Sequence, residues 1–292
     1  MHLERFSPCK VNLVLNILGK RPDGFHELET LMQPVNLCDR LAFDRLTHGG
    51  IEFTCSEPSL PVDSSNLVVR AAEKFFDTAS IRGGVGIHLE KTIPLAAGLG
   101  GGSGNAANTL LALNELFEKP LSSDALIGLA ASLGSDVPFF FEARPALAVG
   151  RGEQVSWLDP FPALSGRAIL LVHPGFGIST SWAYQSLGRF PSSLHGRPGR
   201  AAEVAGFLSA GDLDGAARGF HNTLETSAHE KFPILALYQE FLRERGAVAT
   251  LMSGSGSTTF AIFDSCAAAE ANVPEFKARF GDACWMRVLP LS

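Results

Sequence analysis

The stretch Pro94-Leu-Ala-Ala-Gly-Leu-Gly-Gly-Gly-Ser-Gly104 decides how this chain is read. Five of its eleven residues are glycine. Before it, Val85, Ile87 and Leu89 fall on one face of an expected strand, Val85–Leu89. After it, Ala106, Leu110, Leu113 and Phe117 recur at helical spacing, so Asn105–Phe117 reads as a helix with a buried face. A glycine loop that opens a helix suits an anion. Glycine reaches φ > 0 and lets the backbone approach a ligand closely. Successive N–H groups form a concavity, and the helix adds its positive end, about 0.3–1 kcal/mol per favourable charge. Phosphate is the natural guest. The loop is not a Walker loop, because GK[ST] is absent from the chain. It is not the dinucleotide GxGxxG, because Ser103 stands where the third glycine belongs. The HRD and DFG signatures of protein kinases are absent too. A flexible linker is the competing reading, but linkers rarely sit between a strand and an amphipathic helix.

Outward from the loop, strands and helices interleave. Upstream, Lys10–Leu18 reads as a strand, Gly19–Glu27 as a turn around Pro22, Asp23 and Gly24, and Arg40–Asp44 and Ile51–Cys55 as further strands. Asn66–Phe76 reads as a helix with Asn66 at its N-cap. Downstream, Ser123–Leu133 reads as a helix capped by Ser122 or Ser123, stopped by Gly134–Asp136 and kept stopped by Pro138. The proline-rich Asp159–Gly166 marks a domain boundary, giving an N-terminal domain over 1–160 and a C-terminal domain over 161–292. In the second half, Ala168–Val172 is a strand, and helices are expected near Thr180–Leu187, Ala201–Leu208 and Ile234–Glu244. Val248–Met252 and Thr259–Phe263 read as paired strands around a glycine-serine turn. Both halves are therefore α+β.

The bulk numbers narrow the function. The 292 residues are 46% hydrophobic, ample for a sizeable core. A net charge of −6 lacks the basic footprint of a nucleic-acid binder. The five cysteines, Cys9, Cys38, Cys55, Cys266 and Cys284, are scattered without a CxxC pair, which disfavours a disulfide framework or zinc site. Met1–Lys10 carries Glu4 and Arg5 and does not read as a secretory signal. No run of about 18 apolar residues exists, so no membrane span is expected. A cytoplasmic protein with no nucleic-acid partner and no membrane partner fits these facts.

The pattern P-x-x-x-G-L-G-G-G-S-x-N-A-A resembles the phosphate loop of the GHMP kinases. The likeness spans nearly the whole chain: Ser7-Pro-Cys-Lys-Val-Asn-Leu13 with Pro22-Asp-Gly-Phe-His26, then Leu133-Gly-Ser-Asp-Val-Pro-Phe139 and Gly150-Arg-Gly-Glu153, then Met252-Ser-Gly-Ser-Gly-Ser257. The triple glycine is similar to the branch whose acceptor is a cytidine-diphosphate-linked polyol of the non-mevalonate isoprenoid pathway. Homoserine- and mevalonate-type acceptors, or a silent nucleotide-binding regulator, are the alternatives. The resemblance implies a two-lobed fold, an N-terminal lobe like domain 2 of ribosomal protein S5 and a ferredoxin-like C-terminal lobe, with the active site between them. It implies ATP and Mg²⁺ as cofactors, and a monomer or weak homodimer.

The same resemblance distributes roles. Pro94, Leu95, Ala96, Ala97, Gly98, Leu99, Gly100, Gly101, Gly102, Ser103 and Gly104 would hold the nucleotide, with Asn66 flanking the adenine. Asp136 would accept the proton of the acceptor hydroxyl, with Lys10 beside it near the transferred phosphate. Read without the resemblance, Asp136 is a turn residue and Lys10 a lysine that snorkels from a strand end. Phe25 and Tyr184 would sandwich the cytosine, His26 would bond its edge, and Asn12 would contact the polyol. Three departures stand out. Gly104 replaces a second serine after the triple glycine, which removes a hydroxyl near the phosphate or metal. Phe25 replaces an expected tyrosine, and Thr223 stands for the acid in His221-Asn-Thr-Leu-Glu225.

Overall fold

A computed structural model gives the architecture and describes residues 1–291. In chain order the elements are β1 (His2–Lys20), β2 (His26–Leu46), β3 (Gly50–Cys55), α1 (Leu67–Ala79), β4 (Gly84–Glu90), α2 (Gly101–Leu116), α3 (Ser123–Leu133), β5 (Ala146–Gly150), β6 (Gln154–Trp157), β7 (Ala168–His173), α4 (Thr180–Ser186), α5 (Arg200–Ser209), α6 (Leu213–Gly219), β8 (His221–Asn222), α7 (Glu225–Lys231), α8 (Ile234–Glu244), β9 (Ala249–Met252), β10 (Thr259–Phe263), α9 (Cys266–Phe280) and β11 (Trp285–Pro290). They form two compact units. The first holds Met1–Cys9, Leu37–Ile93 and Gly100–Ala143; the second holds Lys10–Asn36, Pro94–Leu99 and Arg144–Ser292.

In the first unit, β4 pairs in parallel with β3 and antiparallel with the second half of β2, from Arg40↔Glu90 to Leu46↔Gly84. Val85, Ile87 and Leu89 are all buried, as the alternation of a half-buried strand requires. Three helices, α1, α2 and α3, pack on one another. Local capping chemistry sets two of their starts: the Asn66 side chain accepts from Val68 N, and Ser122 from Ala125 N. Helix α2 differs from its expectation in two ways. It begins at Gly101, inside the glycine loop, and it is buried nearly all round. The first turn of a helix needs no upstream hydrogen bonds, so glycines are tolerated there when packing fixes them. Gly101 is so fixed, since a Cβ on it would lie 3.1 Å from Ile93 Cγ2.

The second unit contains a four-stranded antiparallel sheet in the order β11-β7-β10-β9. Counted along the chain, that order is 4-1-3-2, with helices between the first and second and between the third and fourth strands. This is the ferredoxin-like βαββαβ arrangement. Strand β7 is buried at every position, as befits a central strand. The same unit holds the β5–β6 hairpin, with β5 paired to Leu28–Met32 of β2, and β8 paired in parallel with Val14–Leu15 of β1. Along β1, Lys10, Asn12 and Asn16 occupy one face and Val11, Leu13, Leu15 and Ile17 the other. All seven are buried.

Strands β1 and β2 are 19 and 21 residues long, much longer than the expected Lys10–Leu18 and Arg40–Asp44 segments. The reason is non-local: β2 has β5 as partner along its first part and β4 along its last. The Asp159–Gly166 segment lies wholly in the second unit. No helix among the described residues is long and apolar enough to cross a membrane.

Candidate active site

The glycine loop is held from both units' own elements. In the first unit, Gly100 takes φ +72° as the N-cap of α2, and Gly102 is exposed. Asn66, at the neighbouring start of α1, spends its amide on structure: Oδ1 caps Val68 N at 2.9 Å and Nδ2 donates to Pro61 O at 2.9 Å. Leu67 Cδ1 would lie 3.6 Å from a Cβ on Gly102, so this cap borders the exposed turn of the loop. The absent side chain at Gly104 has a physical reason. A Cβ there would lie 2.7 Å from Ser7 Oγ and 3.1 Å from Pro8 O, so strand β1 occupies the space.

A buried cluster that the sequence reading missed fixes the approach to the loop. Asp39, wholly buried, pairs with the ammonium of Lys91 and accepts Thr92 N at 2.8 Å, Ile93 N at 2.9 Å and Asn105 Nδ2 at 3.0 Å. One carboxylate thus ties β2 to the segment leading into the loop and to α2. No local signal marked it, because β2 carries several other polar and charged residues and the partners of Asp39 lie far along the chain.

In the second unit, Pro94–Leu99 lies against the turn between β9 and β10. Thr258 N donates to Ala97 O at 3.1 Å and Ser253 Oγ to Gly98 O at 3.0 Å. Gly98 takes φ +75°, and a Cβ on it would lie 2.0 Å from Ser253 O. Replacing Gly98 by alanine is therefore expected to destabilise the fold by at least the 1–3 kcal/mol, roughly, of a left-handed non-glycine residue. Gly102→Ala should unfold like the parent protein. Urea titrations of the two variants check this contrast.

The turn also approaches the lysine. Lys10 is 2% exposed, and its ammonium donates to Asn12 Oδ1 at 2.6 Å and to Gly98 O at 3.2 Å. Asn12 Nδ2 donates to Thr30 Oγ1 at 2.8 Å, and that hydroxyl donates to Val14 O at 2.6 Å. The chain of donors leaves Asn12 only one orientation, oxygen toward Lys10. A Cβ on Gly254 would lie 3.3 Å from Lys10 Nζ, so this glycine lets the turn close on the pair. Asn222 holds the turn in place, donating to Met252 O at 2.7 Å and Gly254 O at 2.8 Å. Beside it, the Thr223 hydroxyl accepts Ile17 N at 3.1 Å, a structural use for the residue that departs from the family motif.

Glu225 completes the support of this turn. Its Oε1 accepts Met252 N at 2.7 Å and Gln239 Nε2 at 2.6 Å. Burial pushes its carboxyl up to about 7, against the lowering pull of those two donors and Arg243. Because the folded-state value lies above the unfolded one, the folded chain binds the extra proton between about 4.5 and 7, and stability falls as pH rises through that window. Glu225→Gln keeps the acceptor and removes the titration. The melting temperature of the parent is expected to drop more than that of Glu225→Gln between pH 5 and pH 8.

Phe25, on the Arg21–Phe25 turn between β1 and β2, is 53% exposed, and the Arg151 guanidinium lies 4.7 Å from its ring centroid. His26, the first residue of β2, faces Tyr184 of α4 instead, with ring centroids 5.4 Å apart and planes tilted by 34°. Burial, aided by the charge of Lys20, holds the His26 imidazole below its ordinary value. A neutral imidazole has one donor and one acceptor nitrogen, as a base edge requires. Asp136, in the first unit, sits partly exposed between the end of α3 at Gly134 and the buried run Val137–Phe140. Packing of that run sets the aspartate's place.

Comparison with known proteins bears directly on this arrangement. Residues 66–143 match the family model described as the GHMP kinases N terminal domain, and residues 204–280 match the GHMP kinases C terminal model. A 4-diphosphocytidyl-2-C-methyl-D-erythritol kinase of Syntrophotalea carbinolica is 39% identical over 275 residues, covering 94% of this chain and 94% of its own. The chain belongs to this family of GHMP kinases. A crystal structure of a 4-(cytidine 5'-diphospho)-2C-methyl-D-erythritol kinase superposes with a TM-score of 0.78 at 34% identity, covering 99% of this chain and all of the other. The homoserine kinase of Cytophaga hutchinsonii gives 0.76 at 19% identity over 99% of this chain and 95% of its own, which speaks for a shared fold alone. Family membership makes the chain an ATP-dependent small-molecule kinase with a two-unit α+β GHMP fold.

Proposed function

We propose that this kinase transfers the γ-phosphoryl group of ATP to the 2-hydroxyl of 4-diphosphocytidyl-2-C-methyl-D-erythritol, a step of the non-mevalonate route to isoprenoid precursors. The observation that carries the proposal is the near full-length likeness to kinases of that name in a chain that retains Lys10, Asn12, His26, Asp136 and the glycine loop. Phosphoryl transfer asks little covalent chemistry of a protein; it asks for positioning and charge stabilisation. Asp136 takes the hydroxyl proton, and Lys10, fixed by Asn12 and Gly98 O, offsets charge at the transferred group. Residues 94–104 hold the triphosphate with backbone N–H groups, and Asn66 borders the adenine end. Asn12 orients the polyol, while Phe25, His26 and Tyr184 take the cytosine by stacking and by edge contacts.

Mg²⁺ is part of the proposal. Among the described residues, no group of three or more histidine, cysteine, aspartate or glutamate side chains is placed to hold a metal ion. An ion delivered on the nucleotide's phosphates would find the Ser103 hydroxyl as the loop's own oxygen donor. It would neutralise charge on the β- and γ-phosphates. The 1–160 and 161–292 division, a cytoplasmic location, no nucleic-acid or membrane partner, and a monomer or weak homodimer complete the proposal.

The test is phosphorus NMR of the purified protein with Mg·ATP and 4-diphosphocytidyl-2-C-methyl-D-erythritol. A new monoester resonance with the diphosphate signals retained is the expected result. No new resonance from a protein shown to bind ATP would overturn the substrate assignment.

A further inference from the structure

Arg151 sits at the tip of the β5–β6 hairpin, between Gly150 at φ +75° and Gly152 at φ +102°. Glu153 folds back on this turn, accepting Arg151 N at 2.7 Å. The guanidinium itself shares the field of the Asp23 carboxylate without a close ion pair to it. Its only carboxylate within 4 Å among the described residues is Glu153, with Nε to Oε1 at 3.9 Å, too long for a hydrogen bond. It lies instead over the exposed ring of Phe25, at 4.7 Å from the centroid. Its neighbour Arg21, by contrast, is committed to Asp23 and Glu27. An aromatic face thus holds a planar, permanently charged group in place while leaving its terminal donors uncommitted. The occupant that fits is a nucleotide whose base stacks near Phe25 and whose phosphates meet the guanidinium bidentately. A neutral nucleoside would use only the ring.

We propose that Arg151 is a substrate-binding residue that grips the diphosphate of the cytidine-linked acceptor. This rests on the reading that Phe25 and His26 take the cytosine. Arg151 confers selectivity for phosphorylated cytidine over cytidine itself, and it leaves ATP binding alone.

Calorimetric titration of CDP and of cytidine into the parent protein, Arg151→Ala and Arg151→Lys tests it. The parent is expected to prefer CDP. Arg151→Ala should weaken CDP on the order of ten- to hundredfold, the loss of charge-assisted hydrogen bonds, with cytidine and ATP little changed. Arg151→Lys should recover only part, since an ammonium cannot bind bidentately. An unchanged CDP-to-cytidine ratio in Arg151→Ala, with cytidine still bound, overturns the role of Arg151. If neither ligand binds the parent protein, the cytosine reading itself fails. A normal melting temperature in both variants excludes a folding defect.

Discussion

Asp136→Asn is expected to lower kcat by about 10²–10⁴-fold with little change in KM for ATP. Asparagine has the same shape and cannot take a proton. A loss confined to kcat would show an interaction made in the transition state and not in binding. The fold should tolerate the change, because the buried Val137–Phe140 run packs this segment in place and asparagine keeps the shape of the side chain. Steady-state kinetics beside a melting curve separates the two effects. Near-normal turnover in this variant would remove Asp136 as the base and leave positioning alone to explain the rate.

The second large effect is on the scaffold. Asp39→Asn should cost about 3–5 kcal/mol in urea unfolding, because it leaves the Lys91 ammonium buried without its counter-charge. The amide also puts two N–H donors where four donors now converge. Adding Lys91→Met should recover much of the loss, since two uncharged groups need no pairing. Because the carboxylate ties Thr92, Ile93 and Asn105 together at the mouth of the glycine loop, ATP affinity should fall with stability in the single variant. A single variant as stable as the parent would show that the backbone holds the loop unaided.

These two residues illustrate what a sequence discloses. Asp136 could be suspected only through the family motif, since a helix stop followed by Val-Pro marks by itself a turn residue. Helices α1, α3 and α8 lay near their expected bounds because their apolar periodicity, with a side-chain cap for the first two, is written within about a dozen residues. Asp39 could not be named. Its partners Lys91 and Asn105 lie 52 and 66 residues away, and nothing near position 39 announces them.

By itself, then, the sequence determined the α+β class and the family, and it picked out the glycine loop and the other residues to suspect. Each rests on short-range spacing or on motifs in a fixed order. Only the tertiary structure decided the length of β2, which follows from its two different partners, and the start of α2 within the glycines, which follows from packing against Ile93. It alone showed that Gly104 lacks a side chain because Ser7 fills the space, and that Arg151 lies over Phe25. The physical reason is common to all four. Hydrogen-bond partners, excluded volume and stacking join residues far apart in the chain, and such pairings leave little local trace.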